Sequence, residues 1–243
     1  MSKEIIVANW KMNPKNEREA VRLAKAIDKK GAIIAPPFIF LPAVKKALRS
    51  ASLASQDISW TDAGPATGEI SPAMLKNYGV KYAIIGHSER RAQGESDELI
   101  NKKIKTALKH SITPVVCVGE TNRDHAMKYL HAVKRQIEES FKGLTGPAFK
   151  KIVIAYEPVW AVGSDAAREA TPAECTEMAI FIKKVLHDKF GAGASKNIRI
   201  LYGGSVDEKN ASAFLQFGGV EGLLIGRASL DPEKFNKILH FIS

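Results

Sequence analysis

A chain of 243 residues suffices for one large domain or two small ones, and 45% apolar with 26% charged residues is ordinary for a globular protein. No apolar run reaches the ~18 residues of a membrane span, and the two cysteines, Cys117 and Cys175, make neither a disulfide framework nor a zinc spacing. The net charge of +10 raises nucleic acid as a partner, but the pairs Lys29-Lys30, Lys45-Lys46, Lys102-Lys103, Lys150-Lys151 and Lys183-Lys184 are scattered and no nucleic-acid motif accompanies them.

Those lysines read as solvated helix faces, with a weaker role in drawing in a small anionic substrate. The opening MSKEIIVANW enters a strand pattern at once, with no signal peptide, so a reducing cytoplasm is the expected setting. The predicted strands follow in chain order as IIVANW, GAIIAP, LASQD, KYAIIGH, TPVVCVG, KIVIAYE, IRILYGG and EGLLIG. All eight are continuous apolar runs rather than in-and-out alternations, the pattern of parallel strands covered on both faces.

Helical stripes lie between them. Ala20, Leu23, Ala24 and Ile27 form one, and Ile100, Ile104, Ala107 and Leu108 another. Thr171, Pro172 and Glu174 spell a capping box, with Cys175, Met178, Ala179, Ile182, Val185 and Leu186 on one face behind it. Ser71-Pro72 and Asp231-Pro232 read as further helix starts. Eight strands alternating with helices predict a closed (β/α)₈ barrel; an open doubly wound sheet would carry a glycine fingerprint after its first strand, where VANWKMNPK has none.

Active sites of such barrels lie at the C-terminal strand ends. The first strand ends in Asn9-Trp10-Lys11, the fourth in His87, the sixth in Glu157, the seventh in Gly203-Gly204-Ser205 and the eighth in Gly226-Arg227. A carboxylate, an imidazole, a cation and two glycine-containing turns are thus expected around one mouth.

The segments ANWKMN, GHSERR, AYEPVWAVG, YGGSV and LLIGRASL, with TGEIS and GESDELI between them, resemble the signatures of the triosephosphate isomerase family. The resemblance runs in order over almost the whole chain. It implies a TIM barrel forming one catalytic domain over residues 1–243, with neither cofactor nor metal. It also implies a homodimer joined through the loop around Thr67, and interconversion of dihydroxyacetone phosphate with glyceraldehyde 3-phosphate.

The residue types suit that chemistry. Glu157 is a fixed carboxylate able to take a proton from one carbon and return it to the next. The resemblance implies a glutamate base beside a neutral histidine at a helix start, the roles of Glu157 and His87. Lys11 supplies positive charge near a developing oxyanion and Asn9 a neutral donor, with Glu89 orienting Lys11 or a neighbour rather than carrying the proton. Backbone N–H groups near Gly163, Ser205, Gly226 and Arg227 suit a phosphate, because glycine permits close approach. Pro158-Val159-Trp160 reads as a hinge and Ala161 to Ala170 as a lid that keeps a reactive intermediate from water. Arg90 and Arg91 read equally as interface ion-pair partners or as surface, and Cys117 as inert packing.

Three stretches depart from the family pattern. GSDAAREATP is two residues longer between the lid glycine and Thr-Pro, GHSERRAQGESD is one residue short before its glycine, and Arg227 stands where a second glycine is common. Two rival functions remain in view. A Schiff-base aldolase needs a deep strand-end lysine where the sixth strand has Glu157. A non-enzymatic basic binding protein accounts for the charge but not for the signatures.

Overall fold

The computed structural model describes residues 4–124, 126–163 and 168–242. Each predicted apolar run overlaps a strand, β3 and β4 starting one residue earlier than read: β1 (Ile5–Asn9), β2 (Ala32–Ala35), β3 (Ser52–Ser55), β4 (Val80–Ile85), β5 (Thr113–Val118), β6 (Val153–Tyr156), β7 (Arg199–Tyr202) and β8 (Gly222–Ile225). They pair in sequence order, all parallel, and β8 closes on β1 with Ile6 opposite Leu223 and Ala8 opposite Ile225. This is the (β/α)₈ TIM barrel.

The continuous apolar runs follow from burial on both sides. One set of strand residues, including Ile5, Val7, Ile84, Val115, Cys117, Val153, Leu201 and Leu224, packs on itself and fills the barrel. The alternate set, including Ile6, Ile34, Ile85, Val116, Ile154, Tyr156 and Ile225, packs beneath the helices. Strand residues are buried except towards some strand starts (Ser52, Lys81, Tyr82, Thr113 and Arg199), so no polar alternation is needed.

The connecting helices are α1 (Glu17–Ala26), α2 (Leu41–Ala47), α3 (Pro72–Asn77), α4 (Ser88–Ala92), α5 (Asp97–Lys109), α6 (Lys128–Ser140), α7 (Pro172–Phe190), α8 (Ala192–Asn197), α9 (Ala211–Phe217) and α10 (Pro232–Leu239). Their starts are set locally. Ser71 caps α3 and Asp231 caps α10. Thr171 and Glu174 make the reciprocal box of α7, whose buried face is Cys175, Met178, Ala179, Ile182, Val185 and Leu186. No helix among the described residues is long and apolar enough to cross a membrane.

One expectation needs correcting. Lys102 and Lys103 read as a solvated pair, yet only Lys102 is exposed; Lys103 is wholly buried. It lies on the α5 face that also buries Ile100, Ile104 and Ala107, and its ammonium bonds both oxygens of Asp57 (2.8 and 2.7 Å) and one of Glu95. Buried carboxylates, not water, compensate its charge.

Candidate active site

Glu157 directly follows β6, and its N–H donates to the Val118 carbonyl at 2.8 Å, so the strand ladder carries one residue past its end. On the other side the Gly203 N–H donates to Tyr156 O at 2.7 Å. The carboxylate therefore springs from rigid backbone and is 3% exposed. Two glycines make room for it. A Cβ on Gly119 would lie 1.7 Å from Glu157 O, and one on Gly203 would lie 3.0 Å from Glu157 Cγ.

His87 leaves β4 through Gly86, whose φ of +71° suits glycine. It caps α4, its Nδ1 accepting from the Glu89 N–H at 3.2 Å. A ring nitrogen that accepts holds no proton, so the network puts the single proton of a neutral imidazole on Nε2. Nε2 lies 3.0 Å from Glu157 Oε1, and Glu157 Oε2 accepts from the Ser88 N–H at 2.9 Å. Both carboxylate oxygens are thus tied to the start of α4.

Lys11 adopts φ +52°, a left-handed conformation that side-chain-bearing residues seldom take. Its neighbours hold it there: its N–H donates to Asn9 Oδ1 at 3.1 Å, and its carbonyl accepts from Gln56 Nε2 at 2.9 Å. The same amide reaches Ala35 O at 2.9 Å, fastening the turn to β2. The Lys11 ammonium points across the mouth to Glu89 Oε1 at 2.5 Å. A Cβ on Gly226 would lie 3.5 Å from Lys11 Cε, so the end of β8 adjoins the lysine.

Ser205, beyond β7, donates from Oγ to Ala161 O at 2.9 Å, joining its turn to the stretch after Glu157. Gly163 is exposed with φ +95°. Arg227 opens a short 3-10 turn (Arg227–Leu230) braced by Ser229 Oγ donating to Gly226 O at 2.6 Å. Asn9, Lys11, His87, Glu89 and Glu157 are brought together by direct contacts, and Gly226 joins them through Lys11. Residues 164–167 of the stretch read as a lid lie outside the described residues.

The two arginines after Glu89 make intramolecular pairs. Arg90 reaches Asp57 Oδ2 at 2.7 Å, entering the Lys103 cluster. Arg91 binds Gly86 O (2.8 Å), Cys117 O (3.1 Å) and Asp97 Oδ1 (2.5 Å), clamping the ends of β4 and β5. Cys117 fills the barrel floor beneath Glu157; burial, then the Glu157 charge, pushes its thiol well above the ordinary range, which suits packing rather than reactivity.

Several supporting residues escaped the sequence reading. Gln56 follows β3, and Gly119 and Glu120 follow β5, two strand ends that it passed over. Glu120 is buried and accepts on Oε1 from Tyr156 OH (2.8 Å) and Trp160 Nε1 (2.7 Å); burial pushes its carboxyl up. Reading every strand end would have found all three.

The site therefore offers a buried carboxylate, a neutral imidazole donor, an ammonium and glycine-lined backbone at one mouth. That set can move a proton next to a carbonyl while an anion is held nearby. The sequence model described as triosephosphate isomerase matches residues 4–242. Curated relatives named triosephosphate isomerase include that of Caldanaerobacter subterraneus subsp. tengcongensis, 40% identical over 99% of this chain and 100% of that protein. Those of Citrifermentans bemidjiense and Moorella thermoacetica are each 39% identical, over 99% of this chain and 99% of their own lengths.

Proposed function

Because the chain belongs to the triosephosphate isomerase family, we propose that it interconverts dihydroxyacetone phosphate and D-glyceraldehyde 3-phosphate through an enediolate. Glu157 takes the proton from the carbon beside the carbonyl and returns it to the adjacent carbon. His87 donates its Nε2 proton to the carbonyl oxygen, and Lys11 with Asn9 stabilises the charge that develops there. The observation that carries this reading is the 3.0 Å contact of His87 Nε2 with Glu157 Oε1, combined with an Nδ1 that accepts from Glu89. Base and proton donor are already hydrogen-bonded, so a substrate carbonyl oxygen that takes the Nε2–H also frees Glu157 Oε1 for the carbon acid.

Phosphate is held by the N–H groups of Gly163, Ser205, Gly226 and Arg227, beyond β6, β7 and β8. The reaction belongs to glycolysis and gluconeogenesis. A reducing cytoplasm is its proposed setting, supported by two buried free thiols, Cys117 and Cys175.

The proposed assembly is a homodimer through residues 57–72, with Thr67 exposed on that loop. The loop is preorganised for insertion: Trp60 O accepts from Thr106 Oγ1 at 3.0 Å, Asp62 pairs with Lys109 and with His110 Nε2 (2.7 Å), and Ser59 N–H donates to Ile70 O at 3.0 Å.

The test is Glu157→Gln, which keeps side-chain volume and removes the base. In a coupled assay of triose phosphate isomerisation, turnover is expected to fall ~10²–10⁴-fold with an unchanged circular dichroism spectrum. Wild-type turnover in that variant would overturn the assignment.

A further inference from the structure

Arg227 follows Gly226 directly beyond β8, at a position where the chain departs from the family pattern. The residue is exposed, and among the described residues no carboxylate pairs with its guanidinium. The turn that carries it is fixed at its base, the Gly226 carbonyl accepting from Ser229 Oγ at 2.6 Å and from the Ser229 N–H at 3.0 Å. Gly226 adjoins the lysine of the site: a Cβ there would lie 3.5 Å from Lys11 Cε and 4.0 Å from Lys11 Nζ. A guanidinium extends at most ~6 Å from its own Cα, and neighbouring Cα atoms are ~3.8 Å apart. In any rotamer, therefore, the Arg227 charge lies within about 10 Å of the Gly226 Cα, one screening length at ~0.1 M salt.

The other charges at the mouth do not balance. Lys11 is paired with Glu89 at 2.5 Å. The Glu157 carboxylate is met by the neutral His87 imidazole and by the Ser88 N–H, so its charge is hydrogen-bonded but not cancelled. Behind them, Lys103 and Arg90 face Asp57 and Glu95, two cations against two carboxylates. One negative charge is left over, the wrong sign for a phosphate that carries nearly two. Arg227 offsets it. We propose that Arg227 is a specificity-determining residue for capture: its guanidinium supplies the field that draws dianionic triose phosphate to the mouth in preference to uncharged sugars. This inference rests on the isomerase reading above.

Such an attraction is long-ranged and modest. For a unit charge about 8 Å from a doubly charged phosphate in water, screened Coulomb attraction gives roughly a fourfold gain in association at ~10 mM salt. The gain falls to about twofold at ~100 mM and about 1.1-fold at ~1 M. Substrate and transition state carry the same phosphate, so the gain enters KM and kcat/KM far more than kcat. A role in packing the turn would instead survive high salt.

The experiment uses the full-length protein and Arg227→Lys, Arg227→Gln and Arg227→Glu, exposed changes whose folding is checked by circular dichroism. kcat/KM for dihydroxyacetone phosphate is measured at about 10 mM, 100 mM and 1 M sodium chloride. Arg227→Gln should fall about fourfold below wild type at the lowest salt, about twofold at the middle one, and match wild type at the highest. Arg227→Glu, with twice the charge change, should fall roughly sixteenfold at the lowest salt, whereas Arg227→Lys should stay within about twofold of wild type. These salt-dependent differences should vanish toward D-glyceraldehyde, which has no phosphate. No loss in Arg227→Gln at the lowest salt overturns the inference, as does a loss that persists at the highest. So does an Arg227→Glu no worse than Arg227→Gln, an Arg227→Lys no better than it, or the same salt-dependent losses toward D-glyceraldehyde. If wild type fails to isomerise triose phosphate at every salt, the functional reading fails and this one with it; an active wild type with an unaffected Arg227→Gln removes this one alone.

Discussion

Lys103→Met tests the buried cluster behind the site. The lysine side chain is 1% exposed, and its partners Asp57 and Glu95 are 9% and 3% exposed at their side chains. Methionine keeps the length but leaves two buried carboxylates with Arg90 alone, which meets Asp57 at 2.7 Å and Glu95 at only 3.4 Å. Removing one partner from a buried pair costs ~3–5 kcal/mol. In a chain of this size each kcal/mol moves the melting midpoint by ~2–4 °C, so a fall of about 6–20 °C is expected.

The assay is thermal unfolding followed by circular dichroism at fixed protein concentration, because association shifts the midpoint. It has a pH signature. Burial, the largest influence, already pushes the Asp57 carboxyl up against the pull of Lys103, and removing the ammonium pushes it further. A carboxyl whose folded pKa is raised binds a proton more readily folded than unfolded, so the folded variant gains as pH falls. The deficit should be larger at pH 8 than at about pH 5, and Asp57→Asn in the same chain should recover part of it. A pH 8 midpoint within ~2 °C of wild type, or a deficit that grows on acidification, would refute the reasoning.

Gly119→Ala places a Cβ 1.7 Å from Glu157 O, so the end of β6 must shift, and a displacement near 1 Å costs about 10²-fold in turnover; wild-type kcat would contradict the packing described. Sedimentation at micromolar concentration is expected to give a dimer, and excision of the loop around Thr67 a monomer of low activity; a fully active monomer would count against that assembly. Thr171→Ala removes the cap of α7 and should lower unfolding free energy in a denaturant titration by ~0.5–2 kcal/mol, with an unchanged midpoint arguing that Glu174 is held well enough by its arginines.

The barrel and the residues around its mouth were legible in the linear chain because their causes are local or periodic. A strand buried on both faces must be apolar throughout, as IIVAN and VIAY are, and a helix start needs its cap within three residues, as Thr171 and Glu174 show. Strand ends then name Asn9, Lys11, His87 and Glu157 without further geometry. Contacts between distant segments had no such signature. Nothing local marks Lys103 as buried, since Asp57 lies 46 positions away and the partner that decides its fate arrives only when the chain just beyond β3 meets α5. The same holds for Gln56, which props Lys11 from 45 positions off, and for Gly119, whose missing side chain matters only because the β5–β6 ladder brings Glu157 alongside. The tertiary structure alone decided which donors meet the Glu157 carboxylate and which charges leave water, because hydrogen bonding and desolvation depend on distances in space that sequence spacing does not encode.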